Sequence, residues 1–201
     1  FWAGEENKWV PNPSFTVSRI YLEDGVINYH QDSRDNPDAG QGRIRPDKPI
    51  PGIPGITGST DNIAFEVVTF LELTAGTHAM VVNSDDGFVV KTGPSPLDVF
   101  GTVLGIFDGG RGDSDTAFDI VVQEDGIYPF VLQWWEGGGG ASVEWFTVVG
   151  GERILVNDTS NPNAIKAYRE ASVSRPYVAS VDPAPGAFGV SLKPTIQVKI
   201  E

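Results

Sequence analysis

Ser84-Asp85-Asp86-Gly87 puts two carboxylates on adjacent residues, a pattern whose clearest chemical use is to hold a cation. Adjacent carboxylates repel each other, and burying them unpartnered is costly. Calcium resolves that conflict, because it takes about six to eight hard oxygen ligands and tolerates irregular geometry. Neighbouring side chains on an extended backbone point to opposite sides. Both can reach one ion only if the backbone between them is unusual, and a cis Asp85–Asp86 peptide would achieve this. The same residues also read as an ordinary polar hairpin turn, for which Asp-Gly is a common signal. Both readings stand at this point.

A second chemical feature lies some fifty residues on, in Trp134-Trp135-Glu136-Gly137-Gly138-Gly139-Gly140-Ala141-Ser142. Four glycines permit positive φ and can turn backbone carbonyls towards one point, while Glu136 adds a carboxylate at the start of the loop. A phosphate cradle is excluded, because that motif leads from a strand into a helix and here a strand follows. A third run, Asp108-Gly109-Gly110-Arg111-Gly112-Asp113-Ser114-Asp115, has three aspartates that could hold another ion or form a solvated hairpin. It contains Arg-Gly-Asp, a string short enough to arise by chance. Arg111 could also reach a ligand as a hydrogen-bond donor. His30 and His78 belong to no nucleophile elbow, zinc helix or Ser-His-Asp order. A carboxylate pair could hydrolyse glycosides, but acidic pairs recur too often here to single one out. The expectation is a non-catalytic protein.

Strands must position these residues. Residues 15–22 alternate and stop at Asp24-Gly25, with 26–30 as a hairpin partner. Residues 32–60 carry Pro37, Pro46, Pro49, Pro51 and Pro54 and read as an extended surface loop. Ile63 to Leu73 is a strand. Residues 78–83 and 88–91 flank the acidic turn as a hairpin, and 117–123 and 127–135 flank Glu124-Asp125-Gly126 as another. Alternation sends Phe130, Leu132 and Trp134 to one face and Gln133 and Trp135 to the other. One tryptophan is therefore core, and the other a flat platform beside the glycine loop. Residues 142–149 form a further strand. Residues 163–171 read as a short helix, capped by Asn-Pro-Asn and rich in alanine. Short strands joined by Gly/Pro turns indicate an all-β sandwich. The sandwich is expected over 1–172. Residues 173–201 read as a proline-rich linker and the first strand of a truncated immunoglobulin-like domain.

Composition narrows the partners. The charge of −13 argues against nucleic acid and against anionic membrane, both of which need a positive surface. There are no cysteines, which excludes disulfides, thiolate zinc sites and thiol nucleophiles. No run is apolar enough to insert into a membrane. The chain begins without a signal peptide and reads as a segment of a longer protein.

Taken in order, Asp61-Asn62-Ile63-Ala64-Phe65, Leu73-Thr74-Ala75-Gly76-Thr77-His78 and Asn83-Ser84-Asp85-Asp86-Gly87-Phe88 resemble the PA-fourteen family, named for the anthrax protective antigen. Glu124-Asp125-Gly126-Ile127-Tyr128-Pro129-Phe130 and Trp135 to Val143 complete the pattern over residues 60–157. The resemblance implies a β-sandwich. In the family's lectins, such as the flocculin adhesins, a cis Asp-Asp pair holds calcium that chelates sugar hydroxyls. By resemblance, Asp85 and Asp86 are that pair, and Glu136, Gly138 and Gly140 supply further metal ligands. Asp85, Asp86, Trp135, Gly139 and Arg111 are then expected at the glycan. The flocculin loop differs in having an amide where this chain has Glu136, and in not being polyglycine. The implied function is calcium-dependent carbohydrate binding or adhesion, by a monomeric module of a multidomain bacterial protein, secreted or at the cell surface. The alternative is a structural spacer or protein-interaction domain, with a purely structural calcium or none.

Overall fold

Segments dense in β-branched and aromatic residues form the long strands, since such side chains suit a pleated, half-buried surface. The computed structural model describes residues 20–31, 42–52, 60–96 and 98–171, and the backbone of 178–182 and 197–200. Expectations for residues 15–19, for the remainder of the 32–60 segment and for most of the tail lie outside the described residues. The strands are β1 (Asn28–His30), β2 (Lys48–Pro49), β3 (Ile63–Leu73), β4 (Gly76–Asp85), β5 (Gly87–Thr92), β6 (Thr102–Phe107), β7 (Ser114–Val122), β8 (Gly126–Glu136), β9 (Ser142–Val149), β10 (Glu152–Leu155), β11 (Ala167–Tyr168), β12 (Val178–Asp182) and β13 (Gln197–Ile200).

Two sheets make an all-β sandwich. The first has the order β2-β1-β9-β4-β7, with β10 also paired to β9; the second has the order β11-β3-β8-β5-β6. Between them lie Met80, Val82, Phe88, Val90, Leu132, Trp134, Val143 and Trp145. As alternation along β8 required, Trp134 is buried in this core and Trp135 is half-buried on the opposite face. A smaller apolar cluster of Val81, Phe146 and Leu155 sits on the outer side of the first sheet. Strands β12 and β13 pair with each other as a separate two-stranded sheet.

Four local expectations are corrected. The acidic turn is not a hairpin corner: β4 belongs to the first sheet and β5 to the second, so the chain crosses the sandwich there. The turn between β7 and β8 crosses in the same way. Polar turn residues between apolar strands serve a hairpin and a crossing equally well, because in both the inward-facing residues meet one core. Residues 163–171 form turns and β11, not a helix. Ala167 and Tyr168 pair with Leu71 and Phe70 of β3, and Asn157 Oδ1 accepts the Ala167 N–H at 3.1 Å. A segment this short is a marginal helix, and the edge of β3 outcompetes it. Strand β1 pairs with β2 and β9, while Ile20, Tyr21 and Leu22 are exposed and outside any strand.

The crossings decide what comes together. Register places Asp85 opposite Ser142, Gly87 opposite Trp135, Ile63 opposite Glu136, and Ser84 opposite Ser114. The acidic turn, the glycine loop, the start of β3 and the loop from β6 to β7 therefore all meet at one end of the sandwich.

Candidate metal centre

Asp85 ends β4, Asp86 lies in the crossing, and Glu136 ends β8. Their carboxylates converge, with one oxygen from each within 4.8 Å of the others. Among the described residues this is the only such group of acidic or histidine side chains. The Asp85–Asp86 peptide is cis. Asp85 is 5% exposed and Glu136 2%, while Asp86 is half-buried.

Each loop grips the turn through a named contact. Asp86 Oδ1 accepts the Arg111 N–H at 2.7 Å, and Asp86 Oδ2 accepts the Gly137 N–H at 3.0 Å. One carboxylate thereby ties the glycine loop to the β6–β7 loop. From the core side, Trp134 Nε1 donates to the Asp85 carbonyl at 3.1 Å. Ser84 Oγ donates to the Asp86 carbonyl at 2.8 Å. The guanidinium of Arg111 donates to the Ser84 carbonyl, Ser84 Oγ and Thr116 Oγ1, and its Cζ lies 4.0 Å from the centre of the Phe107 ring. Arg111 thus braces the acidic turn from beside it, with its backbone N–H on Asp86 and its side chain on Ser84.

Glu136 stands apart. Its two buried carboxylate oxygens make no well-formed hydrogen bond, although the Gly138 N–H and the Asp85 carboxyl approach them. Burial, then the negative charges of Asp86 and Asp85, push its pKa up to about 7. Burial, with Asp86 and Asp113, raises Asp85 to about 6. Raised carboxyl values mean that the folded state retains protons that the unfolded chain has already released. Stability from these groups is full below the unfolded values of 4.5 and 3.8 and is lost as pH rises to about 7. Metal-free protein should accordingly melt at progressively lower temperature between pH ~4.5 and ~7, the reverse of ordinary acid denaturation, in calorimetry with chelator.

The glycine loop and Trp135 flank this cluster. Gly138 and Gly139 are exposed, and Gly139 adopts φ +109°, which suits glycine alone. The Trp135 ring lies against Gly87, so closely that a Cβ there would come within 2.2 Å of it. Gly87 is thus what lets the ring lie across β5.

Sequence reasoning passed over three contributors. Asp61 Oδ1 accepts the Gly139 N–H at 3.4 Å, and the Asn62 N–H donates to the Gly137 carbonyl at 3.1 Å, so the approach to β3 shapes the glycine loop. Glu144 of β9 is 1% exposed and accepts the N–H groups of Arg43 and Ile44 at 2.8 and 2.9 Å. It fastens residues 42–47 onto the first sheet, where Asn28 Nδ2 donates to the Ile44 and Pro46 carbonyls. Asp113 and Asp115, considered above for a further ion, form ion pairs with Arg43 at 3.7 and 3.3 Å. Nothing in the sequence marks Glu144 among its acidic neighbours; only its place beneath a proline-rich loop distinguishes it.

No protein-family model matches the chain, and no curated protein matches it. Among solved structures it is similar to a PA14 sugar-binding domain from an RTX adhesin, at 22% identity and a TM-score of 0.40, over 47% of this chain and 51% of that one. It is also similar to the PA14 domain of the antifreeze protein MpAFP, at 18% identity and a TM-score of 0.39, over 52% and 50% of the respective chains. The chain spans about half the length of each.

Proposed function

We propose that this protein is a calcium-dependent carbohydrate-binding module of a larger secreted or cell-surface protein. One observation carries the reading: three carboxylates converge within 4.8 Å, and neither oxygen of the buried Glu136 makes a well-formed hydrogen bond. Carboxylates in that arrangement repel unless protonated or bridged by a cation, and an all-oxygen, irregular donor set fits calcium. Asp85, Asp86 and Glu136 would hold the ion, joined by the backbone carbonyls of Gly138 and Gly140. Bound there, calcium would offer open coordination positions to two vicinal sugar hydroxyls.

The protein's own groups do the rest. Asp85 and Asp86 accept hydrogen bonds from the same hydroxyls, Gly139 lines the approach, and Trp135 offers a ring face to the apolar side of the sugar. Arg111 serves the ligand indirectly, by fixing the turn. The reading requires no catalysis. A shallow, wet site gives weak affinity for one sugar, and useful adhesion then comes from several copies acting together.

The depth of Asp85 and Glu136 favours a second reading, in which the ion serves rigidity alone and the domain is a spacer. A glycan array run with calcium and with chelator, beside thermal melts under both conditions, separates the two. The first reading expects sugar signals that vanish with chelator, and a calcium-loaded protein whose melting temperature no longer falls between pH ~5 and ~7, apart from the share set by Glu144. A calcium-raised melting temperature without any sugar signal supports the spacer. Sugar binding that is indifferent to chelator overturns the calcium mechanism.

A further inference from the structure

Residues that pair directly across an antiparallel sheet point to the same side. On the outer side of the second sheet this gives three successive rows. The first holds Ala64, Trp135 and Gly87; the next holds Glu66, Gln133 and Val89; the third holds Val68, Val131 and Lys91. The side that begins with Trp135 at the metal centre therefore continues down the sheet, and two rows on it lies about 13 Å away at ~3.3 Å per residue.

That side is not flat. Residues 93–96 and 98–101, held by the Asp98 and Gly101 N–H groups donating to the Ser95 and Asp98 carbonyls, fold towards it. Together they form a cleft of about 300 Å³. Its polar lining is Glu66, Gln133, Lys91 and Asp98. Its apolar lining is Val131, Val99 and Pro96, with Val131 buried and Val99 77% exposed. Gln133 Nε2 donates to Glu66 Oε2 at 2.6 Å, which holds both amide and carboxylate over the sheet.

The geometry points to an extended binding groove for an oligosaccharide. Its terminal sugar sits at the metal centre, its next residue crosses Trp135, and its third or fourth lies in the Gln133–Lys91 cleft. This rests on the carbohydrate reading given above. Three features select this occupant. The cleft lies on the same side of the sheet as Trp135, whose ring rests on Gly87 beside Asp86 of the metal centre. It mixes donors and acceptors with an apolar floor, matching the hydroxyl edges and C–H faces of a sugar ring. Its charges, one lysine against two acids, offer hydrogen bonds but no strong field of one sign for an ionic partner. The ligand class is thus a chain of at least three sugars, bound more tightly than its terminal sugar alone.

The test uses the whole chain with calcium throughout, on an array that presents each terminal monosaccharide alone and at the end of di-, tri- and tetrasaccharides. Hits are followed by titration in solution. Wild-type protein should bind the tri- or tetrasaccharide about tenfold or more tightly than its terminal sugar. Gln133→Ala with Lys91→Ala should remove most of that gain and leave monosaccharide binding unchanged. Val99→Glu, on the opposite wall, should do the same and guards against a local effect of the first pair. Monosaccharide binding with no gain from chain length overturns the groove while sparing the carbohydrate reading. So does a gain that survives both variants, or concentration-dependent dimerisation that they abolish. Absence of any calcium-dependent signal, monosaccharides included, removes the underlying reading and the groove with it.

Discussion

Asp85→Ala should reduce calcium affinity at least ~100-fold and abolish every chelator-sensitive sugar signal, while leaving the metal-free fold intact. The magnitude follows from the donor set: one of three clustered carboxylates is lost, and calcium affinity tracks ligand charge and number. The intact fold follows from what Asp85 does without metal. It is 5% exposed, and burial and neighbouring acids raise it to about 6, so its charge opposes folding at neutral pH. Removing it relieves that repulsion and leaves a small cavity near the end of the sandwich. Asp86→Ala should behave differently, although the two residues are adjacent. Asp86 accepts the Arg111 and Gly137 N–H groups, and hydrogen bonds to a charged group contribute about 1.5–3 kcal/mol. Its loss should therefore lower the metal-free melting temperature as well as calcium affinity. Calorimetric melts in chelator, set beside calcium titrations, read both quantities.

Glu136→Gln should produce opposite signs in the two states, stabilising metal-free protein and weakening calcium binding. The side chain is 2% exposed, neither oxygen makes a well-formed hydrogen bond, and its pKa stands near 7. An isosteric neutral amide removes the repulsion with Asp85 and Asp86 and keeps the shape. A gain of ~1 kcal/mol or more is expected, each kcal/mol raising the melting temperature by roughly 2–4 °C in a domain of this size. The amide still offers one oxygen, so calcium affinity should fall about tenfold instead of vanishing. A residue kept for folding would lose stability on substitution. A residue kept for a cation loses affinity and gains stability. A lower metal-free melting temperature for Glu136→Gln would contradict its assignment to the metal centre.

Much of this site was legible because its two halves carry distinctive local chemistry. An Asp-Asp-Gly turn and a Glu-Gly-Gly-Gly-Gly run are unusual enough to be noticed, and strand alternation placed Trp134 and Trp135 on opposite faces. What joins the halves was not legible. Local residues state that the chain turns at Asp86, but not whether β5 returns to the same sheet or crosses to the other. That choice depends on which distant strands pair: β4 with β7 and β9, and β5 with β6 and β8. Because it crosses, the turn sits at the open end of the sandwich, facing the glycine loop. Residues 163–171 failed for a related reason, since alanine propensity is a local preference and the free edge of β3 is a distant partner. Glu144 was invisible because its role exists only once residues 42–47 fold over the sheet. Arg111 was legible as a cation near the site, but its bracing role depends on Ser84 and Phe107 being brought beside it.

The central claim is that Asp85, Asp86 and Glu136 form a calcium centre through which a sugar is held. Isothermal titration tests it most directly: calcium is added to metal-free protein at neutral pH, and the sugar hit is then added to the calcium-loaded and the metal-free protein. The account predicts one saturable calcium site, lost in Asp85→Ala, and sugar binding only after calcium has filled it. No calcium binding by wild-type protein, or equal sugar affinity with and without the ion, would contradict it.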